Sequence, residues 1–285
     1  MISIILPTRG RSDRLNRFIS SALNNAENRK QIEFLIFVDT DDYETNISLK
    51  SKNIRLIRGN RQWLSICYNI AANWASGEIL MYAADDLIIE TKNWDSILIE
   101  SVAKNRKNCQ LICPSDNTAY SGFLATHGFV TREFVKNLGY FMTPYFSESH
   151  LDTWLTHISK RANCFYYEPK IKLFHDHYRQ ANQNYKIDGL NHRRNLQNIR
   201  NNTEVVFQKM HREREKDALR LALGNHERLS VNIKFIAGRL GAKFLKFHPT
   251  NPYYFRLNTM TNSDFFRSII IKILKNGLSF PKLNG

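Results

Sequence analysis

An apolar run that ends in two adjacent carboxylates constrains this sequence more than any other feature. Gly77 opens the run Glu-Ile-Leu-Met-Tyr-Ala-Ala, and Asp85 and Asp86 follow directly. Such a run is typical of a buried strand, and ligands of open α/β sheets bind at the carboxyl ends of strands. Adjacent carboxylates resist burial unless a cation or a proton offsets them. The pattern indicates Mg²⁺ or Mn²⁺ holding a phosphate, the alternative being a turn with two solvated acids.

The amino terminus shows a second strand followed by polar residues. Residues 2–6 form a short apolar run that we expect Pro7 to stop, and Ser12 is a suitable N-cap for the amphipathic helix that follows. The loop between them carries Arg9 and Arg11, which with backbone N–H groups could face an anion near the helix start. Solubilising surface charge explains the two arginines equally well.

Further strands and helices alternate along the first half of the chain. A buried strand over residues 32–38 ends in Asp39-Thr40-Asp41-Asp42, where a carboxylate could accept hydrogen bonds from a base or a ribose. A short strand over 54–57 and a helix over about 63–74 follow. This alternation predicts a largely parallel sheet with right-handed crossovers.

Acids and histidines mark the end of the predicted α/β region. A helix is expected to open at about Phe146, with Glu148 and Asp152 near its start, where the helix dipole favours acids. A later strand over 171–174 runs into His175-Asp176-His177. On an extended segment both imidazoles lie on one side, which suits a metal, although a solvated pair is the more common arrangement.

The charge balance predicts anionic partners. The chain has 41 Lys and Arg against 26 Asp and Glu, a net charge of +15. Such an excess attracts nucleic acid, acidic membrane surfaces or phosphorylated substrates. Residues 184–227 are polar, basic and helix-permissive, and 265–274 form a short amphipathic tail. We therefore expect an α/β domain over 1–180 and a basic, mainly helical extension over 181–285, either a brace for that domain or a basic arm for a polyanion or membrane.

Cysteine usage and hydropathy indicate the compartment. Four cysteines are scattered without a CxxC pair, which favours buried reduced thiols over a disulfide framework or a zinc site. The chain enters a strand at once, without a visible signal peptide, and no apolar run is long enough to span a bilayer. We expect a cytoplasmic protein, with peripheral contact at the inner membrane surface as a second option.

Taken in order, these segments resemble the GT-A glycosyltransferases, which use nucleotide-sugars, and their family-2-like members in particular. The resemblance covers about residues 2–178. It implies a Rossmann-like GT-A fold with a mostly parallel central sheet and a helical C-terminal extension. The matching segments are Ile4-Ile5-Leu6-Pro7-Thr8-Arg9-Gly10-Arg11, Val38-Asp39, Gly77-Glu78-Ile79-Leu80 with Ala84-Asp85-Asp86, Leu151-Asp152-Thr153-Trp154-Leu155, and His175-Asp176-His177.

The resemblance also implies roles for individual residues. Asp152 would be the general base, with Glu148 as its competitor. The family's metal-binding DxD motif is incomplete in this sequence, because Ala83 stands where its first Asp is expected. The implied ligands of a divalent ion, Mn²⁺ or Mg²⁺, are Asp85, Asp86, His175 and His177. The implied nucleotide-sugar-binding residues are Pro7, Thr8, Arg9, Arg11, Asp39, Asp41, Asn69 and Asp85.

The implied activity is transfer of a sugar from a nucleoside-diphosphate sugar to an acceptor hydroxyl, inverting and metal-assisted. The acceptor would be a glycan, a lipid-linked glycan or a nucleic acid. One alternative is an enzyme of this type that acts on modified nucleic-acid bases or a phosphate-rich polymer, which would explain the charge. Another is a non-catalytic, basic nucleic-acid- or membrane-binding protein on the same scaffold, since fold alone does not fix function.

Overall fold

An eight-stranded sheet forms the centre of the molecule. The computed structural model describes residues 1–48, 52–176 and 203–225. The strands lie side by side in the order β3-β2-β1-β4-β7-β6-β8-β5. They are β1 (Ile2–Thr8), β2 (Ile32–Asp39), β3 (Ile54–Gly59), β4 (Ile79–Tyr82), β5 (Leu87–Ile89), β6 (Leu111–Asp116), β7 (Gly128–Thr131) and β8 (Phe165–His175).

The sheet is parallel in one half and mixed in the other. Strands β3, β2, β1 and β4 are all parallel, so their carboxyl ends meet at one edge. Strand β7 is antiparallel to both β4 and β6, β8 is parallel to β6, and β5 is antiparallel to β8. The predicted α/β class with a mostly parallel central sheet is confirmed.

Helices cover both faces, because successive strand residues point to opposite sides. In β1, Ile4 and Leu6 belong to one buried core and Ile5 to the other. Helices α1 and α3 pack in the first core, and α2, α4, α5 and α7 in the second. The helices are α1 (Ser12–Asn24), α2 (Leu64–Ala72), α3 (Trp94–Lys104), α4 (Arg132–Leu138), α5 (Leu151–Arg161), α6 (Thr203–Lys209) and α7 (His211–Gly224), with a 3₁₀ turn at Arg29–Gln31.

Strand β1 continues through Pro7, where the sequence predicted a stop. The Ile5 carbonyl accepts from the Ala83 N–H at 3.0 Å, so the polar groups of Ile5 face β4. Pro7, two residues on, faces the same way. Pairing with β4 ends at Ile5↔Tyr82, so the missing N–H of Pro7 removes no hydrogen bond between these strands.

The starts of two helices also differ from the sequence expectation. Ser12 is the first residue of α1 rather than its N-cap, and its hydroxyl donates to the Glu44 carbonyl at 2.8 Å. Helix α5 begins at Leu151 and not near Phe146. His150 adopts a left-handed backbone with φ of 62°, and the first intrahelical bond runs from the Trp154 N–H to its carbonyl. Glu148 therefore precedes the helix, while Asp152 lies in its first turn.

Helices α6 and α7 complete the second core. Phe207, Ala218 and Leu221 are buried in it together with residues of α4 and α5. The predicted boundary near residue 180 and the amphipathic tail over 265–274 lie outside the described residues. In the described parts of the chain, no helix has the length and apolar character that crossing a membrane requires. The cysteines Cys67, Cys109, Cys113 and Cys164 are buried free thiols.

Candidate active site

A cavity of about 700 Å³ opens at the carboxyl edge of β1, β2 and β4. Polar side chains that the sequence singled out line it from several segments, some more than 140 residues apart. These lining residues are Pro7, Thr8, Arg9, Arg11, Asp39, Asp85, Asp86, Glu148, Asp152 and His175. Asp41 and Asn69 are not among the residues that line the cavity, and His177 lies outside the described residues.

Asp85 lies at the floor, between β4 and β5, and is held by the loop that follows β1. The Thr8 hydroxyl donates to its Oδ2 at 2.6 Å, and an Arg11 guanidinium nitrogen lies 3.2 Å from its Oδ1. Burial raises the pKa of Asp85, and the positive charge of Arg11 opposes this shift. A carboxylate desolvated in this way needs a cation beside it to stay ionised.

Asp86 faces the late histidine. His175 Nε2 lies 3.4 Å from Asp86 Oδ1 and an Arg14 nitrogen lies 3.8 Å from Oδ2. Burial acts to raise the pKa of Asp86, but the His175 imidazole, with lesser contributions from His127 and Arg11, outweighs it and holds the pKa below its usual range. Asp86 is therefore a buried, ionised carboxylate.

The floor has the chemistry of a partial metal site. Among the described residues none gives the buried Asp86 Oδ1 a hydrogen bond of good geometry, and Asp85 and His175 lie beside it. Within residues 1–48, 52–176 and 203–225, no three His, Cys, Asp or Glu side chains converge as a ready-made site. Mg²⁺ is commonly held by one or two carboxylates together with substrate phosphates. The residues present fit an ion whose remaining ligands come from a bound diphosphate.

Arg9 links the ends of β1 and β2. Its guanidinium lies 2.8 Å from Asp39 and 2.5 Å from Asp41. Hydrogen bonds to Asp41 and Asp39 raise the pKa of Arg9 above its already high value. Asp39 is buried and lines the cavity, whereas the Asp41 side chain is 60% exposed at the rim. Asp41 therefore acts on the cavity only through Arg9.

The side-chain amide of Asn69 makes its hydrogen bonds to backbone groups within the fold. Its Oδ1 accepts from the N–H groups of Phe141 and Met142, and its Nδ2 donates to the Met142 and Ser65 carbonyls. These contacts join α2 to the segment after α4. With its donor and acceptor occupied by backbone groups, Asn69 serves the packing of the second core, and it is not among the residues that line the cavity.

Asp152 and Glu148 form an acidic wall of the cavity, supplied by α5 and the segment before it. Asp152 lines the cavity from the first turn of α5, and Oδ1 accepts from the N–H of Thr153 at 2.7 Å. Burial raises the pKa of Asp152, with the Thr153 hydrogen bonds opposing the shift. Glu148 lines the same cavity from the segment before the helix. A carboxylate with a raised pKa is a better proton acceptor than an exposed one.

Three lining residues that bear on the chemistry were missed by the sequence analysis. Arg61 follows β3, and the strand-end rule that selected Asp39 would have selected it too. His127 precedes β7, an antiparallel strand whose amino end lies beside the carboxyl end of β4. Its ring packs edge-on against His175 at 4.6 Å between centroids. Tyr120 lies in the loop between β6 and β7. The positions of His127 and Tyr120 at the cavity follow only from the order of the strands in the sheet.

Comparison with known proteins identifies the family. The model of the family described as glycosyl transferase family 2 matches residues 3–173. No curated protein matches the chain.

Two solved structures show a weak similarity to this chain. One is Staphylococcus aureus TarS 1-349, with 11% identity, 98% of this chain and 93% of that chain covered, and a TM-score of 0.45. The other is the mannosyltransferase PcManGT from Pyrobaculum calidifontis in complex with GDP-Man and Mn²⁺, with 11% identity, 97% and 79% covered, and a TM-score of 0.49. At this identity and these TM-scores neither likeness bears on what this chain does.

The family match begins in β1 and ends in β8. It thus takes in every lining residue of the cavity except His175, and more than half of the chain. The chain belongs to glycosyl transferase family 2, and it is a glycosyltransferase.

Proposed function

We propose that the protein transfers a sugar from a nucleoside-diphosphate sugar to an acceptor hydroxyl with inversion at the anomeric carbon. The nucleotide lies along the loops after β1 and β2, against Pro7, Thr8, Arg9 and Asp39. The acceptor enters beside α5. The observation that carries the proposal is that Asp85 and Asp152, 67 positions apart in sequence, line one cavity.

The leaving group is stabilised at the floor and by the loop after β1. When the bond between the anomeric carbon and the phosphate oxygen breaks, negative charge grows on the diphosphate. Arg11 and Arg61 line the cavity and offer fixed positive charge for it. Asp85 and Asp86, with His175, would hold a divalent ion, Mn²⁺ or Mg²⁺, which when bound supplies further charge neutralisation.

The acceptor is activated from the other wall. Its hydroxyl oxygen bonds to the anomeric carbon as the diphosphate departs, and the hydroxyl proton passes to the Asp152 carboxylate. The raised pKa of Asp152 suits proton acceptance, because a base is most effective when its pKa approaches the working pH. Glu148 lines the same wall and is the competing candidate for this role.

The experiment is a donor screen on the full chain. Thermal unfolding is measured with UDP-, GDP- and TDP-sugars, with and without Mn²⁺, since a ligand that binds only the folded state raises its melting temperature. Release of nucleoside diphosphate is then followed with the stabilising donor. We expect one nucleotide class to stabilise the protein and to turn over, and the anomeric configuration of the product, read by proton NMR, to be inverted.

Two variants with different positions sharpen the screen. Asp85→Ala should lose turnover, while Asp13→Ala, an exposed acid in the first turn of α1 that does not line the cavity, should keep most of it. The proposal would be overturned if no donor stabilised the protein, or if Asp85→Ala kept full turnover. Retained anomeric configuration would overturn the inverting mechanism and the role of Asp152 with it.

A further inference from the structure

An exposed aromatic ring lines the same cavity as the proposed base. The loop of residues 117–126, between β6 and β7, presents two exposed rings, Tyr120 at 62% and Phe123 at 75% relative exposure. Tyr120 lines the cavity, while Phe123 is not among the lining residues. A ring left exposed at a binding site offers a large apolar contact surface at low entropic cost.

The 117–126 loop is fixed at both ends. The Asp116 carboxylate accepts from the Thr118 N–H at 3.1 Å, from its hydroxyl at 2.6 Å, and from the Thr126 hydroxyl at 2.5 Å. Next to Thr126, the Ala125 carbonyl accepts from the Tyr82 hydroxyl at 2.8 Å. These buried or half-buried bonds hold both ends of the turn whose backbone carries Tyr120.

The same loop is attached to the helix that carries Asp152. The Ala125 N–H donates to the Thr156 hydroxyl on α5 at 3.1 Å, and Lys160 Nζ donates to the Phe123 carbonyl at 2.6 Å. The loop that carries Tyr120 and the helix that carries Asp152 are thus joined by direct hydrogen bonds and form one wall. A ligand stacked on this ring would lie within the cavity that Asp152 lines.

The charge on this wall selects the chemistry of that ligand. The arginines that line the cavity, Arg9, Arg11 and Arg61, come from loops after β1 and β3. Among the described lining residues between 116 and 152 there is no Lys or Arg, whereas Glu148 and Asp152 are acidic. A polyanion would be repelled here, while neutral hydroxyl groups can donate to the two carboxylates.

We propose that Tyr120 is the stacking residue for the acceptor, a neutral carbohydrate whose pyranose ring lays its apolar face on the tyrosine and its hydroxyls toward Glu148 and Asp152. This inference rests on the proposed function and names the acceptor class for it. It favours a glycan over a modified nucleic-acid base, although the chain as a whole is strongly basic. The positive charge that lines the cavity comes instead from Arg9, Arg11 and Arg61.

Saturation-transfer NMR on the full chain tests the contact without relying on turnover. The probes are methyl α-glucopyranoside, methyl β-galactopyranoside and methyl N-acetyl-β-glucosaminide, each with nucleoside diphosphate present, and a short single-stranded oligodeoxynucleotide carrying a hydroxymethylated base. We expect saturation of at least one pyranoside, strongest on the protons of one ring face. Tyr120→Ala should weaken its apparent Kd about tenfold, and Tyr120→Phe should retain it.

Phe123→Ala is the matched control, since it removes an equally exposed ring from the same loop but outside the cavity. It should bind the pyranoside as the wild type does. Stabilisation of Tyr120→Ala by nucleoside diphosphate shows that this variant is folded. Binding of no pyranoside, equal binding by Tyr120→Ala and wild type, or saturation of the oligonucleotide alone would overturn the inference.

The two proposals fail in different ways. If the protein turns over a nucleotide-sugar but its pyranoside binding does not depend on Tyr120, only the assignment of the acceptor site is contradicted. Pyranoside binding that depends on Tyr120, in a protein that turns over no nucleotide-sugar, contradicts the proposed function.

Discussion

The two walls of the cavity are stabilised by different means. On the wall formed by the loops after β1 and β2, charged side chains meet opposite charges: Arg9 meets Asp39 and Arg11 meets Asp85. On the α5 wall, the described hydrogen bonds to the Asp152 carboxylate come from Thr153, the next residue along the chain. Asp152 is held in place by the packing of its helix rather than by a cation.

The packing behind α5 comes from the end of the described chain. Trp154 Nε1 donates to the Tyr140 hydroxyl at 2.9 Å and to Asp217 Oδ2 at 3.1 Å, and Arg220 pairs with Asp217 at 2.7 Å. Arg214, also on α7, lies over the ring of Phe207 with 4.0 Å to the centroid. The first wall therefore carries paired charges, while the position of Asp152, the proposed base, depends on the packing of α7 behind α5.

Replacement of the base should produce the largest effect. Asp152→Asn keeps the shape of the side chain but cannot accept the proton, so we expect kcat to fall roughly 10²–10⁴-fold while the donor still stabilises the protein. Steady-state kinetics and thermal shift measure the two effects. Glu148→Gln, on the same wall, should lose much less. Full activity in Asp152→Asn with loss in Glu148→Gln would transfer the role to Glu148.

Replacement of Asp217, the buried acid behind α5, should produce the second-largest effect. Asp217→Ala removes a buried acceptor that Tyr140, Trp154 and Arg220 share, and we expect the free energy of unfolding to fall by about 3 kcal/mol. Urea unfolding measures it. Glu213→Ala, which breaks a half-exposed pair with Lys216 on the same helix, should change it by less than about 1 kcal/mol. Equal losses in both variants would show that α7 does not brace α5 in this way.

Removal of a cation from the first wall should affect catalysis more than folding. Arg11→Gln takes positive charge from the diphosphate site, and we expect kcat/KM for the donor to fall about 10²-fold. Arg55→Gln is the control, since that exposed guanidinium stacks on Trp74 and does not line the cavity. Unchanged donor kinetics in Arg11→Gln would mean that Arg11 serves only to neutralise Asp85.

The smallest expected effect is a shift in the pH dependence of kcat. Because burial raises the pKa of Asp152, its active carboxylate form is lost as pH falls through that raised pKa, and the acid limb of kcat should lie above the usual pKa of about 3.9 for Asp. A pH–rate profile of the wild type measures it. An acid limb that is unchanged in Asp152→Asn would show that another group titrates.

Burial of Asp152 also affects stability, with a definite sign. A folded-state pKa above the unfolded value means that the folded protein binds the proton more tightly, so the contribution to stability is present below the unfolded pKa. It is lost as pH rises through the folded pKa. We expect Asp152→Asn to be at least as stable as wild type at neutral pH, as measured by urea unfolding.

Much of the site follows from the order of strands and polar residues along the chain. Parallel strands bring their carboxyl ends to one edge, so the sequence alone predicts that Arg9, Asp39 and Asp85 lie together. The same rule would have added Arg61. The rule does not identify His127, because β7 runs antiparallel and its amino end lies at that edge. The predicted roles of all these residues stay predictions until the variants are measured.

The fold class follows from the sequence alone, because alternating apolar and polar runs set the strands and helices, and the polar residues at strand ends mark the functional edge. The family follows from the resemblance of these segments, in their order along the chain, to glycosyltransferase sequences. Which side chains meet is settled only by tertiary packing. Arg11 faces Asp85 across 74 positions, Asn69 closes onto backbone groups rather than facing the cavity, and α7 packs behind the helix of Asp152. These contacts depend on strand order and helix packing, which local periodicity does not encode.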